Sequence, residues 1–348
     1  MRCTVVDKSP LAQSFFSKYC SDRYILPSSS NDPERFIRCI WELTKSRDYE
    51  VLLPIGWHAN YYASKYRTIL EKHTAIPVAP YESMRVAANK DLTMEFAKSV
   101  GVDVPATYQA NNMEDIEEIC AHAAFPLVIK GSVSAGNVRY ARNASELKRY
   151  FLEMADVRPI VQEYIEGYGC GFFALYDSGK CVARFMHRRI REFPPSGGPS
   201  VAARADYSAE LMQQGMKILD ALNWHGVAMV EFKKDRKDGK YKLMEINPKF
   251  WGSLELAIAA GVDFPYLAYL TAKGQSFDPV FKYNRDVMFR WPFPGDLMYA
   301  LSQHRLRGFI RDFTSGEYTD DVYLNDLGPL PIQIIGTIKS IRQGLNAS

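Results

Sequence analysis

Two short runs constrain this chain most: Val230-Glu231-Phe232-Lys233 and Leu243-Met244-Glu245-Ile246-Asn247-Pro248. Each alternates apolar with polar residues at the period of a β-strand. The turn-forming stretch Lys237-Asp238-Gly239-Lys240 lies between them, so the pair reads as a hairpin. Alternation puts Glu245 and Asn247 on one side, and Glu231 can sit opposite them across the ladder. Three oxygen-bearing groups then converge between apolar flanks, where an uncompensated carboxylate pair would be costly. Magnesium takes hard oxygen ligands, commonly one or two carboxylates plus substrate phosphates, so Glu231, Glu245 and Asn247 are the candidate metal ligands. An exposed hairpin with solvated charges is the competing reading, and it leaves Asn247-Pro248 unexplained.

A chain of 348 residues exceeds what one core usually supports, so two or three domains are expected. With 47% hydrophobic and 24% charged residues the composition is that of a globular protein. A net charge of +3 without a long basic run argues against a nucleic-acid partner. The six cysteines form no CxxC pair and have no histidine cluster near them. Free thiols in a reducing cytosol are therefore expected, rather than a zinc site or a disulfide framework. The N-terminus has no long apolar stretch of a signal peptide, and no run reaches the length of a membrane span. A cytoplasmic location without membrane association follows as the expectation.

The first eighty residues alternate short apolar runs with helical patterns. Strands are expected at 3–6, 24–26, 51–54 and 76–79, and helices at 11–19 and from Asp32-Pro33 onward, with Phe36, Ile40 and Leu43 at helical spacing. Such alternation implies a parallel sheet with crossovers. The first strand ends in Asp7, and no glycine precedes Gly56. In a dinucleotide-type fold a strand of this kind is normally the second, after a glycine-rich turn. Either the first βα unit is absent or the true start lies upstream. Beyond Lys90, helices are expected with Leu92, Phe96 and Val100 on one face, over 113–122, from the capping pair Asn143 and Glu146 through Met154, over 209–222, over 254–260 and over 265–272. Strands are expected at 125–130, 160–165, 171–176, 180–190, 227–233 and 241–246. After Gln275 the pattern weakens to a basic, moderately apolar tail.

Two further segments carry candidate chemistry. Lys130 ends an apolar strand and runs into Gly131-Ser132-Val133-Ser134-Ala135-Gly136-Asn137, small residues that let backbone N–H groups approach phosphate oxygens beside a lysine charge. Val161-Gln162-Glu163-Tyr164-Ile165-Glu166-Gly167 ends a strand in a hinge that can offer backbone groups to a purine edge. A surface hairpin and an edge strand with a solvated acid are the respective competing readings.

The order Lys90, Lys130 with its loop, the 162–167 hinge, Glu231, and Glu245-Ile246-Asn247-Pro248-Lys249-Phe250-Trp251-Gly252-Ser253 resembles the ATP-grasp superfamily. It is most similar to the branch of the carbamoyl-phosphate synthase large chain and the carboxylate–amine ligases. The resemblance spans about residues 87–272. It implies an α/β and α+β multidomain protein: a truncated Rossmann-like domain over 1–86, an ATP-grasp domain over 87–275 with a lid near 125–166, and a C-terminal extension over 276–348. It implies that Lys90 and Lys130 hold ATP phosphates, that Gly136 belongs to a lid over them, and that Gln162, Glu163 and Ile165 line the adenine site. Glu166 is the remaining candidate for the ribose. Glu231, Glu245 and Asn247 would bind Mg2+, or Mn2+ in its place. Lys249 stands where relatives carry arginine and would contact the γ-phosphate without the bidentate fork.

The stretch Met186-His187-Arg188-Arg189-Ile190-Arg191 faces the acceptor in that family, with Arg188 the candidate and Arg204 a second. The implied activity joins a small carboxylate to an amine through an acyl phosphate, with Arg188, Lys249 and Asn247 as catalytic residues. The competing functions are phosphoryl transfer of the carbamoyl-phosphate or kinase type, a non-catalytic ATP sensor, and a subunit completed by a partner. Homodimers occur among relatives. Trp224 and Trp251 read as packing residues. Acceptor specificity is expected in the N-terminal domain, the arginine stretch and the tail.

Overall fold

The computed structural model describes residues 2–132, 138–195 and 197–346, with the side chains of 155 and 342–346 not included. The N-terminal region opens with β1 (Cys3–Asp7) and β2 (Cys20–Ile25), which pair in parallel. Between them lies only a short 3-10 turn at Gln13–Phe16, where the sequence suggests a longer helix. Then come α1 (Pro33–Ser46), α2 (Trp57–Lys65), α3 (Arg67–Leu70), α4 (Tyr81–Ala88) and α5 (Lys90–Ser99). Asp32 caps α1 by accepting from the Arg35 N–H at 3.1 Å, with Pro33 in the first turn. The expected strands at 51–54 and 76–79 reduce to one bridge, Val51 to Ala75. The core here is Ile37, Ile40, Ala63, Leu70, Ile76 and Val78. On α5 the buried face is Thr93, Met94 and Ala97, whereas Leu92 is exposed.

A four-stranded sheet follows, ordered β3-β6-β4-β5, from β3 (Thr107–Gln109), β4 (Leu127–Gly131), β5 (Val138–Ala141) and β6 (Pro159–Glu163). Its outer face packs on α6 (Met113–His122) and α7 (Ala144–Glu153) through Ile116, Ile119, Leu147 and Phe151. Asn143 caps α7 as its sequence suggests, accepting from the Glu146 N–H at 3.0 Å. The Glu146 carboxylate returns to the Arg142 N–H at 2.7 Å.

The larger sheet has seven strands, ordered β11-β10-β7-β8-β9-β12-β13. Its members are β7 (Gly167–Asp177), β8 (Lys180–Glu192), β9 (Ser200–Ala205), β10 (Gly226–Asp235), β11 (Tyr241–Asn247), β12 (Met288–Arg290) and β13 (Thr319–Asp320). One face buries Phe172, Tyr176, Met186, Val230 and Phe232 against α4, α5 and α8 (Ala209–Ala221). α8 approaches closely at Gly215, where an added Cβ would meet the Phe172 ring at 2.3 Å. The other face buries Phe173, Leu175 and Phe185 against α9 (Leu254–Ala259) and α10 (Phe264–Ala272). Trp224 is fully buried, as expected of a packing residue.

Elements from both ends of the chain join the packing of the large sheet. α4, which spans residue 87, packs into the core of the large sheet through Met84 and Ala87. The tail contributes β12, which pairs with β9, and β13 beyond it. It continues through α11 (Leu297–Ser302), α12 (Leu306–Thr314) and α13 (Leu330–Asn346). Among the described residues no helix is long and apolar enough to cross a membrane.

Candidate active site

The β10–β11 register puts Glu231 directly opposite Glu245, and Met229 opposite Asn247. The hairpin thus delivers the expected carboxylate pair on one face. The Asn247 amide donates to Glu245 Oε1 at 2.6 Å, leaving its own oxygen available. Burial raises the Glu231 carboxyl above the usual carboxylate range, while Arg189 pulls it down.

Lysines approach these acids from other elements. Lys130, 8% exposed, comes from β4 of the smaller sheet. Burial lowers its ammonium to about 8, against the pull of Glu245 and with the push of Lys90. Lys90 opens α5; its N–H donates to the Ser132 carbonyl at 2.8 Å and its Nζ lies 3.9 Å from Glu245 Oε2. One residue therefore joins the start of the small-residue loop to the acidic wall. Lys249 follows β11, and burial lowers its ammonium while Glu245 and Glu231 raise it. Gly136, the expected lid residue, lies outside the described residues.

The arginine stretch needs a correction. Arg188 shares a face of β8 with Met186, and its guanidinium sits 5.3 Å from the Tyr168 ring, on the side away from the carboxylates. Arg204 pairs with Arg188 in register and shares that side. The residue beside the acids is Arg189, whose Nη2 lies 2.8 Å from Glu231 Oε1. Its Nη1 donates to Glu192 Oε1 at 3.4 Å and to the Gly198 carbonyl at 3.2 Å. Glu231 is level with Gly171 on β7, and Gly171 with His187 on β8, so His187 and Arg189 share the face of Glu231. Alternation alone gave two parities for this strand; only the register across three strands selects one. His187 is fully buried, held near 3 by burial, and its Nε2 is 2.8 Å from Ser253 Oγ. It is a neutral group that anchors the turn after β11.

The hinge at 164–166 connects β6 to β7, and so joins the two sheets. Gln162 is buried on the Lys130 side of its sheet and donates to Thr107 Oγ1 at 2.8 Å. Glu163 and the Ala106 backbone exchange bonds: the Glu163 N–H donates to the Ala106 carbonyl at 2.9 Å, and its carboxylate accepts the Ala106 N–H at 3.4 Å. The Ile165 carbonyl accepts from Lys233 Nζ at 3.2 Å. Glu166 is exposed and paired with Arg236 at 3.2 Å on the β10–β11 hairpin.

Two carboxylates and an amide make no self-sufficient metal cage, and among the described residues no group of three or more His, Cys, Asp or Glu forms one. The donor set fits a hard cation that completes its shell with phosphate oxygens.

Two sheets joined by a hinge, with a lysine on one facing carboxylates on the other, define a nucleotide-grasping architecture. The family described as ATP-grasp in the biosynthetic pathway with Ter operon matches residues 156–291. The chain is 26% identical over 242 residues to the N-terminal section of the carbamoyl phosphate synthase large chain of Methanopyrus kandleri, covering 61% of this chain and 43% of that protein. It is 21% identical over 243 residues to the carbamoyl phosphate synthase large chain of Methanothermobacter thermautotrophicus, covering 61% of this chain and 23% of that one. The chain thus spans less than half the length of these curated relatives. Among solved structures, the biotin carboxylase domain of Hydrogenobacter thermophilus 2-oxoglutarate carboxylase matches with a TM-score of 0.66 at 16% identity, over 81% of this chain and 67% of that one. The L-amino acid ligase from Bacillus licheniformis matches at 0.61 and 17%, over 73% of this chain and 64% of that one. The chain shares the fold of these structures, and its residues 156–291 match the model of an ATP-grasp family.

Proposed function

We propose that this protein is an ATP-dependent carboxylate–amine ligase. The observation that carries the reading is the Glu231–Glu245 pair, opposite in register, with Asn247 beside it and the cations Lys90, Lys130, Arg189 and Lys249 around it. Lys90 and Lys130 hold the phosphates, and the backbone of Glu163 and Ile165 meets the adenine edge. Glu231, Glu245 and Asn247 hold Mg2+, which when bound neutralises phosphate charge. A substrate carboxylate oxygen attacks the γ-phosphorus as the bond to the β,γ-bridging oxygen breaks, giving an acyl phosphate and ADP. The amine nitrogen then forms a bond to the acyl carbon, phosphate leaves, and the nitrogen gives up a proton. This chain supplies position and fixed charge, the dominant contributions in phosphoryl transfer. Lys249 and Arg189 flank the acids and would meet the transferred group.

The test is ADP release from MgATP with pooled small carboxylates and amines. Release that needs both and falls at least 100-fold in Glu245→Gln is the expected result. Release with a carboxylate alone and a stable phosphorylated product would replace ligation by simple phosphoryl transfer. Nucleotide binding without any release would make the protein a sensor.

A further inference from the structure

Lys249 has a second setting that bears on the substrate. Besides feeling Glu245 and Glu231, it lines a cavity of about 420 Å³. Leu53, Ile55, Trp251, Leu254 and Pro265 supply much of the remaining wall. This cavity lies between the loop before α2 and the turn that follows β11. The turn is held from behind, because Ser253 bonds the buried His187 and the Trp251 ring lies 4.6 Å from Phe173. Among the described residues the buried Trp251 indole N–H has no hydrogen-bond partner.

The size and lining speak to the ligand. A water molecule's share of liquid is roughly 30 Å³, so a one-carbon oxyacid would leave most of this space unfilled. The volume falls in the range of small-molecule pockets, which are mainly apolar with few polar groups fixing orientation. At the cavity the cation is Lys249, whose Nζ donates to the Phe250 carbonyl at 3.3 Å and feels the charge of Glu245 and Glu231. Glu255 also lines the space, and its Oε2 accepts from the Trp291 indole at 3.2 Å, which fixes a carboxylate there. A second carboxylate on the ligand would meet that acid unfavourably, whereas an amino group would be attracted to it.

We propose that this cavity is the acid subsite, and that the carboxylate activated belongs to an apolar monocarboxylic acid. Amino acids with aliphatic or aromatic side chains fall within this class; one-carbon and polycarboxylic acids fall outside it. The assignment rests on the ligase reading and adds its substrate class. The carboxylate end lies at Lys249, from which it reaches the γ-phosphorus, and the apolar body lies against Leu53, Ile55 and Trp251.

Gly56 offers a clean test. It lines the cavity, its backbone is extended at φ −78°, and an added Cβ meets nothing within 4 Å among the described residues. Gly56→Leu therefore adds an apolar side chain at the cavity wall without a clash at its Cβ. Wild type and Gly56→Leu, each loaded with Mg2+ and a non-hydrolysable ATP analogue, are titrated with isovalerate, phenylacetate, L-leucine, L-phenylalanine, bicarbonate and succinate. Calorimetry and indole fluorescence are the readouts. The expected result is saturable binding of at least one apolar acid, weakened tenfold or more by Gly56→Leu, with analogue affinity changed less than twofold. Binding confined to bicarbonate or succinate, no binding by any apolar acid, or apolar binding unchanged in Gly56→Leu would overturn the proposal. Failure of the analogue to bind either protein would overturn the ATP-dependent reading beneath it.

Discussion

The two sheets that meet at the site solve the problem of buried charge in opposite ways. The large sheet presents Glu231 and Glu245 in fixed register, and each acid has a protein cation near it: Arg189 at 2.8 Å from the first, Lys90 at 3.9 Å from the second. The small sheet presents Lys130, more deeply buried, with its ammonium lowered to about 8. One wall is preorganised and largely neutralised. The other holds a cation under desolvation strain that an incoming phosphate would relieve. On the proposed function, an incoming phosphate gains most at Lys130, and β10 and β11 supply the geometric precision.

The sharpest way to break this contrast is to remove Lys130. Lys130→Met is expected to weaken MgADP binding by about 10- to 100-fold, the range of one charge-assisted hydrogen bond. Its pH signature is specific. In the free protein Lys130 carries its proton below about 8. A bound phosphate raises that value, so binding takes up a proton and wild-type affinity falls as pH rises above about 8. The Lys130→Met profile is expected to lose this fall. The same group makes the ligand-free protein more stable as pH rises from about 8 toward its ordinary 10.5, because there the unfolded chain holds the proton and the folded one does not. A wild-type affinity flat from pH 7 to 9.5 would remove Lys130 from the phosphate site.

A smaller effect separates the two faces of β8. Arg189→Met is expected to lower ADP release about tenfold and to destabilise the fold by about 3 kcal/mol, because it strands the buried Glu231. Arg189→Lys should restore part of both, lacking only the fork. Arg188→Met, on the other face, should change turnover less than twofold; equal losses from both would deny the assignment of faces. The smallest effect lies at the outer rim of the small sheet. Asn143→Ala removes the α7 cap and should cost about 1 kcal/mol in thermal unfolding while leaving MgADP affinity unchanged.

The same contrast governs what could be read from the chain. The hairpin was legible because short strands around a tight turn fix their own register, so Glu231, Glu245 and Asn247 follow from spacing. The caps Asp32 and Asn143 act on residues three positions away, and such local pairs show in sequence. Arg189 was not legible, because its face depends on pairing with β7, a strand whose own parity is set by β10. Nor was the course of the N-terminal region, where apolar runs such as Leu52 and Leu53 pack against helices and the cavity instead of entering a ladder. β12 and β13 escaped notice because three and two residues carry no periodicity.

The most direct measurement is calorimetric binding of a non-hydrolysable ATP analogue with and without Mg2+, in wild type and in Glu245→Gln. The account predicts tight binding that depends on Mg2+ in wild type, and in Glu245→Gln weaker binding in which Mg2+ changes the affinity less than twofold. Equal Mg2+ dependence in the two proteins would contradict the assignment of the carboxylate pair, and with it the site on which the function is argued.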